Sequence, residues 1–190
     1  MPRVLVPLAE GFEELEAITI TDLLVRARID VLTAGLRPGP VRASRGTTIV
    51  PTTDLDTALK QDYDMIVLPG GQPGANNLKG DQRILSVLRK MQESGKVVAA
   101  ICAAPIALAQ AGVLDGKRAT CFPGSIDPSQ HANIKLIDES VVDDENIVTS
   151  RGPGTAMDFA LELIEKMAGA ERRHAVESAL QRPASHVQNW

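Results

Sequence analysis

Three short runs in this chain are apolar along almost their whole length: RVLVPL (Arg3 to Leu8), MIVL within DMIVL (Asp64 to Leu68), and VVAAI (Val97 to Ile101). None alternates polar with apolar residues, so none has a face suited to water. Strands of this kind are buried on both sides, which requires a parallel sheet with helices packed on each face. A fourth strand, Ile29 to Ala34 (IDVLTA), ends at Gly35. Between the strands the apolar spacing changes to three and four. Glu13 to Ala27 reads as a helix after Gly11. Asp81 to Ser94 carries Ile84, Leu85, Leu88 and Met91 on one stripe and closes at Gly95. Ala103 to Ala109 is a helical segment. Thr155 to Met167 places Ala156, Phe159, Ala160, Leu163, Ile164 and Met167 on one face before Gly169. Pro38 to Pro51 reads as a small β excursion, and Val141 to Thr149 as a hairpin turning at Asp143 to Asn146. Glu171 to Gln181 is a last helix, and the tail from Ala170 to Trp190 is a C-terminal helix or extension.

A chain of 190 residues is expected to form one domain and to bury about 70% of its unfolded surface. Aromatics make up 3% of it, so the core is expected to be aliphatic. The net charge of -4 argues against nucleic acid and anionic membrane as partners. Residues 97–114 are nominally long enough to span a bilayer. They are rich in alanine and interrupted by Pro105, Gln110 and Gly112, which fits a buried strand followed by a buried helix. The two cysteines, Cys102 and Cys121, are not in a C-x-x-C arrangement. With histidines only at 131, 174 and 186, no zinc-type spacing can be built, so no metal is expected. MPRVLVPLAEGFEE is not a signal peptide. These features together imply a reducing, cytoplasmic compartment.

In open parallel sheets, sites form at the carboxyl ends of strands, beside a topological switch point. Three segments bearing chemistry follow strands here: AEGFEELE, PGGQPGANN and ICAAP. Cys102 stands at a strand-to-helix joint, and Pro105 suits a first helical turn. Unpaired N–H groups there would lower the thiol pKa and stabilise an oxyanion. The competing reading is a packed, inert thiol. Pro69-Gly70-Gly71 permits close backbone approach or is an ordinary turn. Glu13, Glu14 and Glu16 complement the helix dipole from solvent unless one points inward, and spacing does not choose among them. Arg151 in TSRGPGT either holds an anion or is solvated.

GFEELE (11–16), MIVLPGGQPGANNL (65–78), AAICAAP (99–105) and TSRGPGT (149–155), in this order, resemble the ThiJ/PfpI superfamily. The resemblance runs from Arg3 to about Gly169 and is nearest the Parkinson-disease-protein branch and its bacterial YajL-type members. It implies a flavodoxin-like three-layer α/β sandwich with a mostly parallel central sheet and Cys102 on a strained nucleophile elbow. Glu16 matches the acid that hydrogen-bonds the sulfur, and beside a thiolate its pKa should rise. Gly71 and Ala103 match backbone N–H donors around the pocket. Ser44-Arg45 and Ser150-Arg151 match segments near the pocket rim and dimer interface, which makes Arg45, Ser150 and Arg151 candidate rim or anion-binding residues. Arg26 is expected at a homodimer interface.

The resemblance also implies glutathione-independent conversion of 2-oxoaldehydes such as methylglyoxal to hydroxy acids, with action on glycated protein or nucleotide side chains, and no metal or organic cofactor. The alternative is an oxidative-stress sensor or redox-regulated chaperone working through Cys102 oxidation, with Cys121 as a partner thiol or an inert one. Departures from related patterns narrow the choice. Phe122 stands where some relatives carry histidine, Ala103 stands where protease-like members do, and no His-x-Glu element of the glutamine amidotransferases occurs. Val50 stands where some relatives carry a further cysteine.

Overall fold

The computed structural model describes residues 1–182; the last eight residues of the expected C-terminal extension lie outside the described residues. The chain runs β1 (Arg3–Leu8), α1 (Glu14–Arg26), β2 (Asp30–Gly35), β3 (Val41–Arg42), β4 (Thr48–Ile49), β5 (Thr53–Asp54), α2 (Leu55–Ala58), β6 (Met65–Leu68) and α3 (Gly74–Gly80). It continues with α4 (Gln82–Glu93), β7 (Val97–Ile101), α5 (Pro105–Gln110), β8 (Arg118–Ala119), β9 (Lys135–Leu136), β10 (Val141–Asp144), β11 (Ile147–Ser150), α6 (Ala156–Ala168) and α7 (Ala170–Ala179).

Seven strands form one sheet in the order β10-β11-β7-β6-β1-β2-β5. All neighbours are parallel except the β10–β11 hairpin. The apolar runs are buried on both faces, as their composition requires. Val4, Val6, Met65, Val67, Ala99 and Ile101 join one core with α1, α6 and α7. Leu5, Ile66, Leu68, Val98 and Ala100 join a second core with α2, α4 and α5. The result is a three-layer, flavodoxin-like α/β sandwich. The chain leaves β1 for β2 on one side and later returns to β6 on the other, so the switch point lies between β1 and β6. Among the described residues no helix is long and apolar enough to cross a membrane.

Local differences from the sequence reading have physical causes. The helix expected from Ala103 begins at Pro105, because Cys102 has a positive φ (65°) and cannot enter a right-handed helix. The hairpin turns on Glu145 and Asn146, a tighter loop than the four residues expected, with Glu145 in the left-handed region. Helix α3 falls in the PGGQPGANN segment, read above only as a turn or a close approach. Glycine and asparagine favour no helix there, and tertiary contacts hold it: Gly74 N–H donates to Gly11 O, and Asn77 Nδ2 to Glu10 O.

Candidate active site

The loops after β1, β6 and β7 meet at the carboxyl edge of the sheet. Each glutamate of GFEELE has a different place there. Glu14 turns outward and accepts the Arg45 and Thr47 N–H groups. Glu13, at the helix entry, is nearly buried and accepts the Ser44 hydroxyl at 2.9 Å. Glu16 is 0% exposed and faces the sheet. Its Oε2 accepts the Gly70 N–H at 2.7 Å, whereas Oε1 is buried without a hydrogen-bond partner in the described geometry.

Cys102 completes the joint after β7. Its N–H donates to Ser150 O at 2.9 Å, and its carbonyl accepts the Phe122 N–H at 2.7 Å. These bonds pin a non-glycine residue at φ 65°, a conformation that costs on the order of 1 kcal/mol and persists only when neighbours impose it. The Gly71 and Ala103 N–H groups are directed at the sulfur, and the Glu16 carboxyl lies against it. Cys102 keeps 8% of its surface exposed.

Burial and the adjacent Glu16 carboxyl push the Cys102 thiol up to about 12, against the two N–H donors. This reverses the sequence expectation of a lowered thiol pKa, which counted the helix-end N–H groups and neither the burial of the sulfur nor the charge of the carboxyl beside it. Burial likewise raises Glu16 to about 7, with a smaller contribution from the charge of Glu13. The pair therefore titrates as a unit: it gives up one proton near neutrality and resists a second negative charge.

Gly70, not singled out from the sequence except within its Pro-Gly-Gly turn, is what allows this contact. A Cβ there would lie 2.7 Å from Cys102 Cβ, 2.9 Å from Ile101 O and 2.9 Å from Glu16 Oε2. Two of those three atoms cannot swing away. Gly70→Ala is expected to destabilise the fold by about 1–3 kcal/mol and to change the rate of Cys102 alkylation, measurable by urea unfolding and iodoacetamide labelling. Unchanged stability and labelling would show that the contact yields.

The remaining candidates are engaged elsewhere or exposed. Arg45 is largely exposed, with Nε 3.9 Å from Glu13 Oε2. Ser150, expected at the rim, is fully buried, and its hydroxyl is used internally by Ser140 O and Thr155 Oγ1. It contributes its main-chain carbonyl to Cys102 and offers no side chain to an anion. Arg151 pairs with Asp138. Arg26 pairs with Asp22 on the outer face of α1. Cys121 is buried, and burial raises its thiol pKa. Phe122 is 49% exposed beside the elbow. Among the described residues no group of three or more His, Cys, Asp or Glu side chains is placed to hold a metal ion.

A doubly covered parallel sheet with a cysteine elbow at its carboxyl edge and a buried carboxyl against the sulfur defines a class of α/β proteins. Residues 2–166 match the DJ-1/PfpI family, and the chain belongs to that family. It is 43% identical over 178 residues to protein dj-1beta of Drosophila melanogaster, covering 93% of this chain and 95% of the relative. The crystal structure of that Drosophila protein superposes with a TM-score of 0.91 at 41% identity, covering 96% of this chain and 99% of that one. A Caenorhabditis elegans relative named glutathione-independent glyoxalase DJR-1.2 is 36% identical over 167 residues, covering 88% of this chain and 89% of the relative. Protein DJ-1 homolog B of Arabidopsis thaliana is 43% identical over 173 residues; the match covers 90% of this chain but 39% of that longer relative.

Proposed function

We propose that this protein is a cysteine-dependent enzyme that converts 2-oxoaldehydes to 2-hydroxy acids without glutathione, making lactate from methylglyoxal in a reducing cytoplasm. By the same first step it acts on early aldehyde adducts of protein and nucleotide side chains. The observation that carries this reading is the buried Glu16 carboxyl lying against a sulfur that the Gly71 and Ala103 N–H groups face. Near neutrality the pair's single negative charge rests on Glu16, which leaves the buried carboxylate placed to take the Cys102 proton. The C. elegans relative named as a glyoxalase supports the reaction class.

The Cys102 thiol gives its proton to the Glu16 carboxylate as sulfur attacks the aldehyde carbon, and the oxyanion takes up that proton to give a hemithioacetal. The Gly71 and Ala103 N–H groups stabilise the negative oxygen. Glu16, now ionised, removes the C1 proton and returns it to C2 through an enediol, which leaves a 2-hydroxyacyl thioester. Water cleaves the C–S bond and releases the hydroxy acid and the thiol. One aldehyde and one water give one hydroxy acid. The test is lactate formed from methylglyoxal by reduced protein without glutathione, since aldehyde disappearance alone reports any thiol or arginine.

The same donors favour a second reading, oxidation sensing. One peroxide converts the thiolate to sulfenate and a second to sulfinate, each releasing water. The sulfinate oxygens would accept the Gly71, Ala103 and Glu16 hydrogens. Folded, reduced protein that forms no lactate but gains two oxygens at Cys102 would favour this reading over the first.

We also propose that the protein is a homodimer through the outer face of α1. Leu15, Ile18 and Val25 are 51%, 47% and 58% exposed there, around the Asp22–Arg26 pair. Such a face on a helix is self-complementary across a two-fold axis. Ile18→Glu with Val25→Glu is expected to halve the sedimenting mass while leaving the circular dichroism spectrum unchanged. A wild type that already sediments as a single chain would overturn the dimer.

A further inference from the structure

We propose that Phe122 forms the wall against which the substituent of the substrate packs, so that the site prefers 2-oxoaldehydes bearing an aryl or bulky alkyl group over glyoxal. This rests on the 2-oxoaldehyde reading and narrows its substrate class.

Phe122 stands apart from the other aromatic residues of the described structure. Phe12 and Phe159 are 0% exposed and Tyr63 is 6% exposed, whereas Phe122 presents 49% of its surface. Its position is fixed relative to the nucleophile. The Phe122 N–H donates to the Cys102 carbonyl at 2.7 Å, and its own carbonyl accepts the Ser125 N–H at 3.0 Å, closing a turn. The ring rests on Gly152: a Cβ built on that glycine would lie 3.5 Å from Phe122 Cδ2. Gly152 is two residues beyond Ser150, whose carbonyl holds the Cys102 N–H. Phe122 is thus tied to the backbone of the nucleophile, and the segment that carries Gly152 is anchored to it through Ser150.

A phenyl ring carries no proton, and the proton work is assigned to Glu16. What remains for the ring is apolar contact. A substituent next to the aldehyde carbon that covers this half-exposed ring gains from removal of apolar surface and from ring-on-ring contact. Glyoxal, with hydrogen in that place, gains nothing.

The experiment compares phenylglyoxal with glyoxal as kcat/KM ratios for wild type, Phe122→Ala and Phe122→Trp. Phe122→Ala is expected to lower the phenylglyoxal-to-glyoxal ratio about tenfold, equivalent to about 1.4 kcal/mol, and Phe122→Trp to retain it. In parallel, Cys102 is alkylated with phenacyl chloride and with chloroacetone. In both, the sulfur bonds to the CH2 carbon and chloride leaves, so the pair reads the wall without turnover. The same tenfold loss of aryl preference in Phe122→Ala is expected. Equal ratios in wild type and Phe122→Ala, in both assays, would overturn the wall. Absence of turnover with every aldehyde, together with an intact alkylation preference, would sink the glyoxalase reading and leave the wall standing.

Discussion

Cys102→Ser and Glu16→Gln are each expected to reduce lactate formation from methylglyoxal by on the order of a thousandfold, for different reasons. Serine keeps the shape of the elbow but supplies no thiolate, so neither the hemithioacetal nor the thioester forms. Glutamine keeps the packing of Glu16. Its carbonyl oxygen can accept the Gly70 N–H where Oε2 now does, and its amide nitrogen takes the place of Oε1. It cannot move a proton. It also removes the carboxylate charge, which is the largest contribution after burial holding the thiol pKa up. Glu16→Gln should therefore alkylate faster than wild type with iodoacetamide at neutral pH while turning over far more slowly. That opposition is the decisive readout. Parallel loss of alkylation and turnover would reduce Glu16 to a packing role, and retained turnover would move the proton transfer to another group.

The strands and the long helices were legible because burial on both faces and a single apolar stripe leave distinct spacings. VVAAI becomes β7 with the same bounds, and the Ile84-Leu85-Leu88-Met91 stripe becomes the buried face of α4. Short elements were not legible. The two-residue strands β5, β8 and β9 owe their existence to neighbours rather than to composition, and α3 is held by Gly11 and Glu10 across the site. The cysteine could be located from the chain alone, as a thiol at a strand-to-helix joint. Which glutamate faces it could not, because residues 13, 14 and 16 differ only in rotation about α1. The resemblance chose Glu16, and the structure puts that residue at 0% exposure. The direction of the thiol pKa was missed because it is set first by burial, which a motif does not show, and then by the charge of Glu16. Ser150 was misplaced at the rim because a motif gives position and not the direction of a side chain.

The second large effect is on stability, and its sign follows from Glu16. Free in the unfolded chain the carboxyl titrates near 4.5, and in the fold near 7. Between these values the native state holds a proton that the unfolded state has lost, so stability falls as pH rises across that window. Its contribution is fully present below 4.5 and gone above 7, a loss of about 3 kcal/mol. Other carboxyls act in a different range. Asp64 and Asp81 are held below their ordinary 3.8, chiefly by Lys96 and Arg83, and withdraw their contribution only as pH falls further. The Cys102 thiol acts above its ordinary 9.0. Urea unfolding at pH 5 and pH 7.5 should therefore show wild type losing about 2 kcal/mol more than Glu16→Gln, since part of the window lies below pH 5. The difference between the two proteins, rather than either slope, isolates the buried carboxyl. Parallel lines would mean that burial does not raise the Glu16 pKa, and its role as a base poised near neutrality would have to be abandoned.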